Sequence, residues 1–165
     1  MPQAALLARS VAHTWTPVSW FVIYGRRLRD SSAFDQNEPM DMKLELVAVP
    51  VTDVDRAKAF YVDQVGFNAD HDHTVDENIR FVQVTPPGSA CSIAFGRGLV
   101  PDDQGPIMTL QIVVPDIEAA HAHLTERGVE VSPIDDQPWG SFVYFKDPFG
   151  NAWAVQQVVP RSQAS

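Results

Sequence analysis

The stretch Leu44-Glu45-Leu46-Val47-Ala48-Val49-Pro50-Val51-Thr52-Asp53-Val54-Asp55-Arg56-Ala57 decides the fold, because the chain repeats it as Met108-Thr109-Leu110-Gln111-Ile112-Val113-Val114-Pro115-Asp116-Ile117-Glu118-Ala119-Ala120. Asp53 matches Asp116 at an offset of 63, and so do Val54 and Ile117, Asp55 and Glu118, and Ala57 and Ala120. Further on, Gly66 matches Gly128 and Gly88 matches Gly150, both at 62. Distant segments that keep nearly one offset mark an internal duplication.

Each copy obeys the same local rules. A run rich in β-branched residues predicts a strand. An Asp follows at a helix N-cap position, with an acid two residues later to complement the helix dipole. Val54, Ala57, Tyr61 and Val65 recur at helical spacing, as do Ile117, Ala120 and Leu124. Gly66 and Gly128 end the helices. Strands are then expected near residues 68–75, 80–85 and 90–95, and near 130–134, 141–146 and 152–158. Turn residues separate them, Pro86-Pro87-Gly88-Ser89 in one half and Asp147-Pro148-Phe149-Gly150-Asn151 in the other. The expected fold class is α+β, two tandem βαβββ modules forming a curled half-barrel with helices outside and a cleft inside. Module one covers about residues 42–96, the linker 97–106 and module two about 107–158, within a domain of 41–158 followed by a tail at 159–165.

Residues 1–40 read differently. The first 39 carry four arginines against three acids, so that segment is +1 and the rest of the chain −10. Its longest apolar run, Trp20 to Tyr24, is far short of the roughly 20 residues a spanning helix needs. Arg26 and Arg27 follow that run, where an export signal would place them before it. A weakly structured extension, a partner-binding segment and a mis-assigned start are the open readings. A natural start at Met40 or Met42 is favoured, since the first strand begins directly after.

The formal net charge of −9 disfavours nucleic acid, which needs a basic face. One cysteine, Cys91, permits no disulfide within the chain and fits a reducing cytoplasm, the expected location. No membrane span is expected.

The repeat, with Val51-Thr52-Asp53-Val54-Asp55-Arg56-Ala57-Lys58-Ala59-Phe60-Tyr61, Gly66-Phe67 and Phe145-Lys146-Asp147-Pro148-Phe149-Gly150-Asn151-Ala152-Trp153, resembles the vicinal oxygen chelate superfamily. That group includes glyoxalase I, extradiol dioxygenases, fosfomycin-resistance enzymes and bleomycin-resistance proteins, and the resemblance covers about residues 42–158. It implies four metal positions, two per half, filled in metal-dependent members by His or Gln and Glu. The first lies seven residues before the capping Asp and the second on the strand after the turn glycine. Here they carry Leu46, Ser92, Thr109 and Ala154. Divalent metals require converging nitrogen, oxygen or sulfur donors. Two of these side chains have none and two are neutral hydroxyls, so glyoxalase or extradiol chemistry through that metal is disfavoured.

Odd–even alternation from those positions predicts a cleft lined by Leu46, Ala48, Ser92, Thr109, Gln111, Ala154 and Gln156, with Trp139 and Phe149 as aromatic walls. Ser92, Thr109, Gln111 and Gln156 would orient a small organic ligand there. The leading expectation is metal-free sequestration of a small molecule, comparable to the bleomycin-resistance branch, by a homodimer and without a cofactor. The alternatives are a lyase, isomerase or dioxygenase with a non-standard or absent metal site, and an interaction module with a vestigial cleft. His71 and His73 are the one non-standard metal candidate. At strand spacing they share a face, although the charged surroundings favour a solvated edge strand or loop. His121 and His123 are expected on the surface.

Overall fold

The computed structural model describes residues 40–159; the expectations placed on residues 1–39 and on the last six lie outside them. Module one runs β1 (Leu46–Ala48), α1 (Val54–Ala59), β2 (Asn68–Thr74), β3 (Arg80–Thr85) and β4 (Ser92–Phe95). Module two runs β5 (Leu110–Val113), α2 (Ile117–Glu126), β6 (Asp135–Gln137), β7 (Gly140–Lys146) and β8 (Ala152–Val158). The α+β, two-module architecture is therefore observed.

The two N-caps form as their chemistry requires. Asp53 accepts from the Arg56 amide at 3.0 Å, and Asp116 from the Ala119 amide at 2.9 Å. Beyond Ala59 the first helix widens into a π-helical segment, Phe60–Val65. The consecutive Phe60 and Tyr61 are both buried at this point. Gly66 ends the segment at φ +90°, the left-handed conformation that favours glycine, and the Phe67 amide closes back on the Tyr61 carbonyl at 2.8 Å.

Each module forms a four-stranded sheet, in the orders β1-β4-β3-β2 and β5-β8-β7-β6. In both, the first strand runs parallel to the last and the remaining pairs are antiparallel. No ladder joins the two sheets among the described residues. They meet instead through one core: Val82, Val84, Ile93 and Phe95 of the first sheet belong to the same buried cluster as Val143, Phe145, Trp153 and Val155 of the second. Phe60 and Tyr61 sit between them, ring to ring with Phe145 (6.2 Å) and Trp153 (5.8 Å).

Two expectations need correction. Residues 130–134 form no strand; only an isolated bridge joins Val131 to Phe145, and the strand begins at Asp135. Pro133 has no amide hydrogen to give to a ladder, which interrupts pairing there. The offset of 63 also fails on the first strands. Val49 donates to the Ala94 carbonyl as Val114 donates to that of Gln156, which aligns the strands at 65. Pro50 matches Pro115 at that offset, so module one holds two additional residues, Val51 and Thr52, between its proline and its N-cap.

Candidate functional site

In each sheet one face builds the core and the other points away from it. Strand pairing shows which side chains share the outer faces. On the first sheet Leu46 pairs with Ser92 and Ala48 with Ala94. Gln83 pairs with Ala94 on one side and with His71 on the other, and Phe81 pairs with His73. Small Ala48 and Ala94 thus lie between hydroxyls on one side and imidazoles and Phe81 on the other. On the second sheet Gln111 pairs with Ala154, Tyr144 with Ala154 and Phe142 with Gln156.

Polar side chains on these faces are organised. On the first, Gln83 Nε2 donates to Ser92 Oγ at 3.0 Å. The Ser92 and Thr85 hydroxyls lie 2.6 Å apart, and Thr85 donates in turn to Asp70. The Gln83 and Ser92 side chains are buried, so these bonds satisfy groups that would be costly to bury alone. On the second, Gln111 Nε2 donates to Gln156 Oε1, and Gln156 Nε2 to the Trp139 carbonyl at 3.2 Å. Phe142 and Tyr144 stack with ring centroids 6.1 Å apart and planes 4° from parallel. Tyr144 and Val113 remain 44% and 63% exposed, an apolar surface without cover.

The residues expected to line one cleft thus fall into two groups. Leu46, Ala48 and Ser92 belong to the first sheet; Gln111, Ala154 and Gln156 belong to the second. The strand register makes Gln111, two residues beyond Thr109 and on the same face, the partner of Ala154. Thr109 stands exposed just before β5, in a groove of about 680 Å³ with Tyr144 and Ala152. Trp139 is exposed in the β6–β7 turn, beside Gln156. Phe149 is on neither face: it lies under the Arg56 guanidinium, 5.9 Å from ring centroid to carbon, against a separate groove of about 710 Å³ with Pro50 and Arg97.

His71 and His73 belong to the edge strand β2, within the strand expected near 68–75, with their rings stacked on the outer face. Asp72 between them points the other way, toward Lys58 (2.8 Å) and Arg80 (3.0 Å). His123 is partly buried, 3.1 Å from the Val65 carbonyl of the other module. The Arg127 guanidinium donates to its Nδ1, so Nε2 carries the proton toward Val65. Gln83, Thr85, Phe81, Phe142 and Tyr144 complete the outer faces. Extending the alternation from Ser92 and Ala154 across to β3 and β7 is the sequence signal that finds them.

A family model matches residues 43–155, described as Glyoxalase/Bleomycin resistance protein/Dioxygenase superfamily. The chain belongs to that superfamily. Among relatives of the chain, the uncharacterized protein YetH of Bacillus subtilis (strain 168) is 26% identical over 120 residues, 72% of this chain and all of its own. Among solved structures, TnmS3, an antibiotic binding protein from Streptomyces sp. CB03234, is 33% identical, with a TM-score of 0.66 over 74% of this chain and 100% of its own. A superfamily member from Sphaerobacter thermophilus DSM 20745 is 32% identical, with a TM-score of 0.64 over 72% of this chain and 99% of its own.

The metal that the superfamily resemblance implies can be tested against the residues in place. Leu46 and Ala154 offer no donor, and Ser92 Oγ is already engaged by Gln83 and Thr85. With Thr109 or Gln111 as the fourth side chain the set holds no carboxylate, imidazole or thiolate. These residues do not fit a divalent cation. Cys91 adjoins Ser92, but burial, and then Glu45, push its thiol above the ordinary value, which leaves it protonated and a poor nucleophile.

Proposed function

We propose that this protein binds a small organic molecule on the outer sheet faces, without the superfamily's metal, and that a second copy of the chain completes the cleft. The observation that carries this reading is that the four metal positions hold no metal donor while ordered neutral polar groups stand on the same faces: Ser92 held by Gln83 and Thr85, and Gln156 held by Gln111. Fixed hydrogen-bonding groups around a floor of small side chains are what a concave ligand site requires. The antibiotic binding described for TnmS3, 33% identical over its whole length, supports binding rather than turnover.

The second copy follows from the split of the faces. One chain sets out two half-clefts on two sheets that share no ladder. Val113 and Tyr144 expose apolar surface on one of them. Placing the first sheet of one protomer opposite the second sheet of its partner would cover that surface and enclose a ligand between both polar groups. It would make two equivalent sites by symmetry.

The test is a thermal-shift screen of the full chain against cationic drugs, planar aromatics and thiols, followed by calorimetry. A ligand at 100-fold its Kd stabilises by about 2.7 kcal/mol. The expected result is a shift with at least one class, at one molecule per chain, that is weakened by Ser92→Ala and by Gln111→Ala. A shift that neither substitution changes would sink the assignment of the site.

A further inference from the structure

The His71/His73 pair plays no part in the reading above, and its geometry points to a use of its own. The two imidazoles project from alternate positions of the edge strand β2. Their centroids are 5.6 Å apart and their planes 27° from parallel. Metal–nitrogen bonds of about 2.0–2.1 Å place two neighbouring imidazole ligands roughly 5 Å apart, centroid to centroid. The observed separation of 5.6 Å is close to that requirement. Among the described residues, neither imidazole is engaged in a hydrogen bond or an ion pair. The acid between them, Asp72, is held on the opposite face by Lys58 and Arg80, so it does not compete for the rings. The strand register keeps both imidazoles on the outer face: His71 is backed by buried Gln83 and His73 by buried Phe81.

We propose that His71 and His73 form a two-point chelate for a late first-row divalent cation, Cu²⁺ above Ni²⁺ and Zn²⁺. Imidazole nitrogen suits these ions, and two neutral nitrogens follow the usual rise in affinity toward copper. Among the described residues no third His, Cys, Asp or Glu joins the pair. The remaining coordination positions thus face the outer surface, open to water or to donors from a small molecule. The chain's net charge of −9 raises the local concentration of any cation. This site lies on the same outer face as Ser92 but uses none of the residues proposed to hold the organic ligand, so its failure leaves the ligand-binding reading untouched.

The experiment uses the full chain, stripped with EDTA and dialysed, and Cu²⁺ alone as the probe. The expected result is one equivalent of Cu²⁺ per chain, with an electron paramagnetic resonance spectrum carrying hyperfine structure from two nitrogens. The His71→Asn/His73→Asn variant should weaken binding by at least 100-fold while its metal-free circular dichroism and melting curve stay as in the parent. His121→Ala, which removes a histidine from α2, should bind as the parent does. Unchanged copper affinity in the double variant would overturn the proposal, as would a spectrum without two equivalent nitrogens. Loss of binding in His121→Ala would do the same.

Discussion

The Tyr61 hydroxyl of module one donates a 2.7 Å hydrogen bond to Asp147 Oδ2 of module two, 86 residues further along the chain. Trp153 Nε1 donates back to the same hydroxyl at 3.2 Å, and Asn151 Nδ2 bridges Asp147 Oδ2 to the Pro50 carbonyl. Asp147 Oδ1 accepts from the Phe149 and Asn151 amides. A buried carboxylate is thereby supplied with donors from its own turn and from the other module, as burial of a charge demands. This network joins the two modules.

Tyr61→Phe keeps the ring and removes the bond. It leaves Trp153 Nε1 without its acceptor and Asp147 short of a donor, and should cost about 1–3 kcal/mol. Urea unfolding at pH 7 measures it. Burial, and then the Asp147 carboxylate, push the Tyr61 phenol well above its ordinary value. The folded state therefore holds that proton more tightly than the unfolded chain does. The stabilisation is complete below the unfolded value near 10 and falls as pH rises beyond it. Between pH 9 and 11.5 the parent should lose stability more steeply than Tyr61→Phe, and parallel curves would contradict this.

Gly66→Ala strains the seam in two ways. It places a side chain at φ +90°, and the new Cβ would lie 3.0 Å from His123 Nε2, the atom that bonds Val65. A loss of about 1–2 kcal/mol is expected from the left-handed backbone alone, and the contact with His123 adds to it. Adding His123→Ala should recover the steric part, and a double-mutant cycle reads the coupling. Strict additivity would show that the two residues do not meet.

The acid limb of stability should report Asp72. Hydrogen bonds from Arg80, then from Lys58, hold its carboxyl down to about 2. A depressed folded value contributes stability that is present above the unfolded value near 4 and lost as pH falls toward 2. The group is partly exposed, and solvent screening limits the effect to at most about 1 kcal/mol. Asp72→Asn should lower stability slightly at pH 7 and flatten the curve between pH 4 and 2. Salt at 0.5 M should shrink the difference.

Val113→Glu tests the second copy. The side chain is exposed within one chain, so the substitution should leave monomer stability within about 0.5 kcal/mol. Light scattering should give about twice 18.3 kDa for the parent and the single-chain mass for the variant. A parent that stays at 18.3 kDa at 100 µM would rule out the assembly, and ligand binding by that monomer would localise the site to one face.

Much of the fold was legible because its signals are local. Asp53 and Asp116 announce their helices through the chemistry of the cap, Gly66 through its freedom at positive φ, and β3 and β8 through alternation. The failures involve longer range. The repeat offset read from Asp53 and Asp116 placed Thr109 opposite Ala154, because a two-residue insertion between strand and cap leaves helical spacing intact while it shifts the ladder to Gln111. His123 looked like a surface group because its partner, the Val65 carbonyl, lies 58 residues away. Phe149, expected as an aromatic wall, lies beneath Arg56 because the turn directs it there.

The sequence by itself determined the duplication, the two modules and the absence of metal donors at Leu46 and Ala154. Each of these is a property of a residue's own chemistry or of a short window. Only the tertiary structure decided that the two sheets share a core and turn their other faces away from it, and that Tyr61 and Asp147 join the two modules. It also decided that the face shared by His71 and His73 is the outer one. Those outcomes depend on strand register and on packing between residues far apart in the chain. There a shift of two residues or the widening of one helical turn changes which side chains meet, and local periodicity is the same either way.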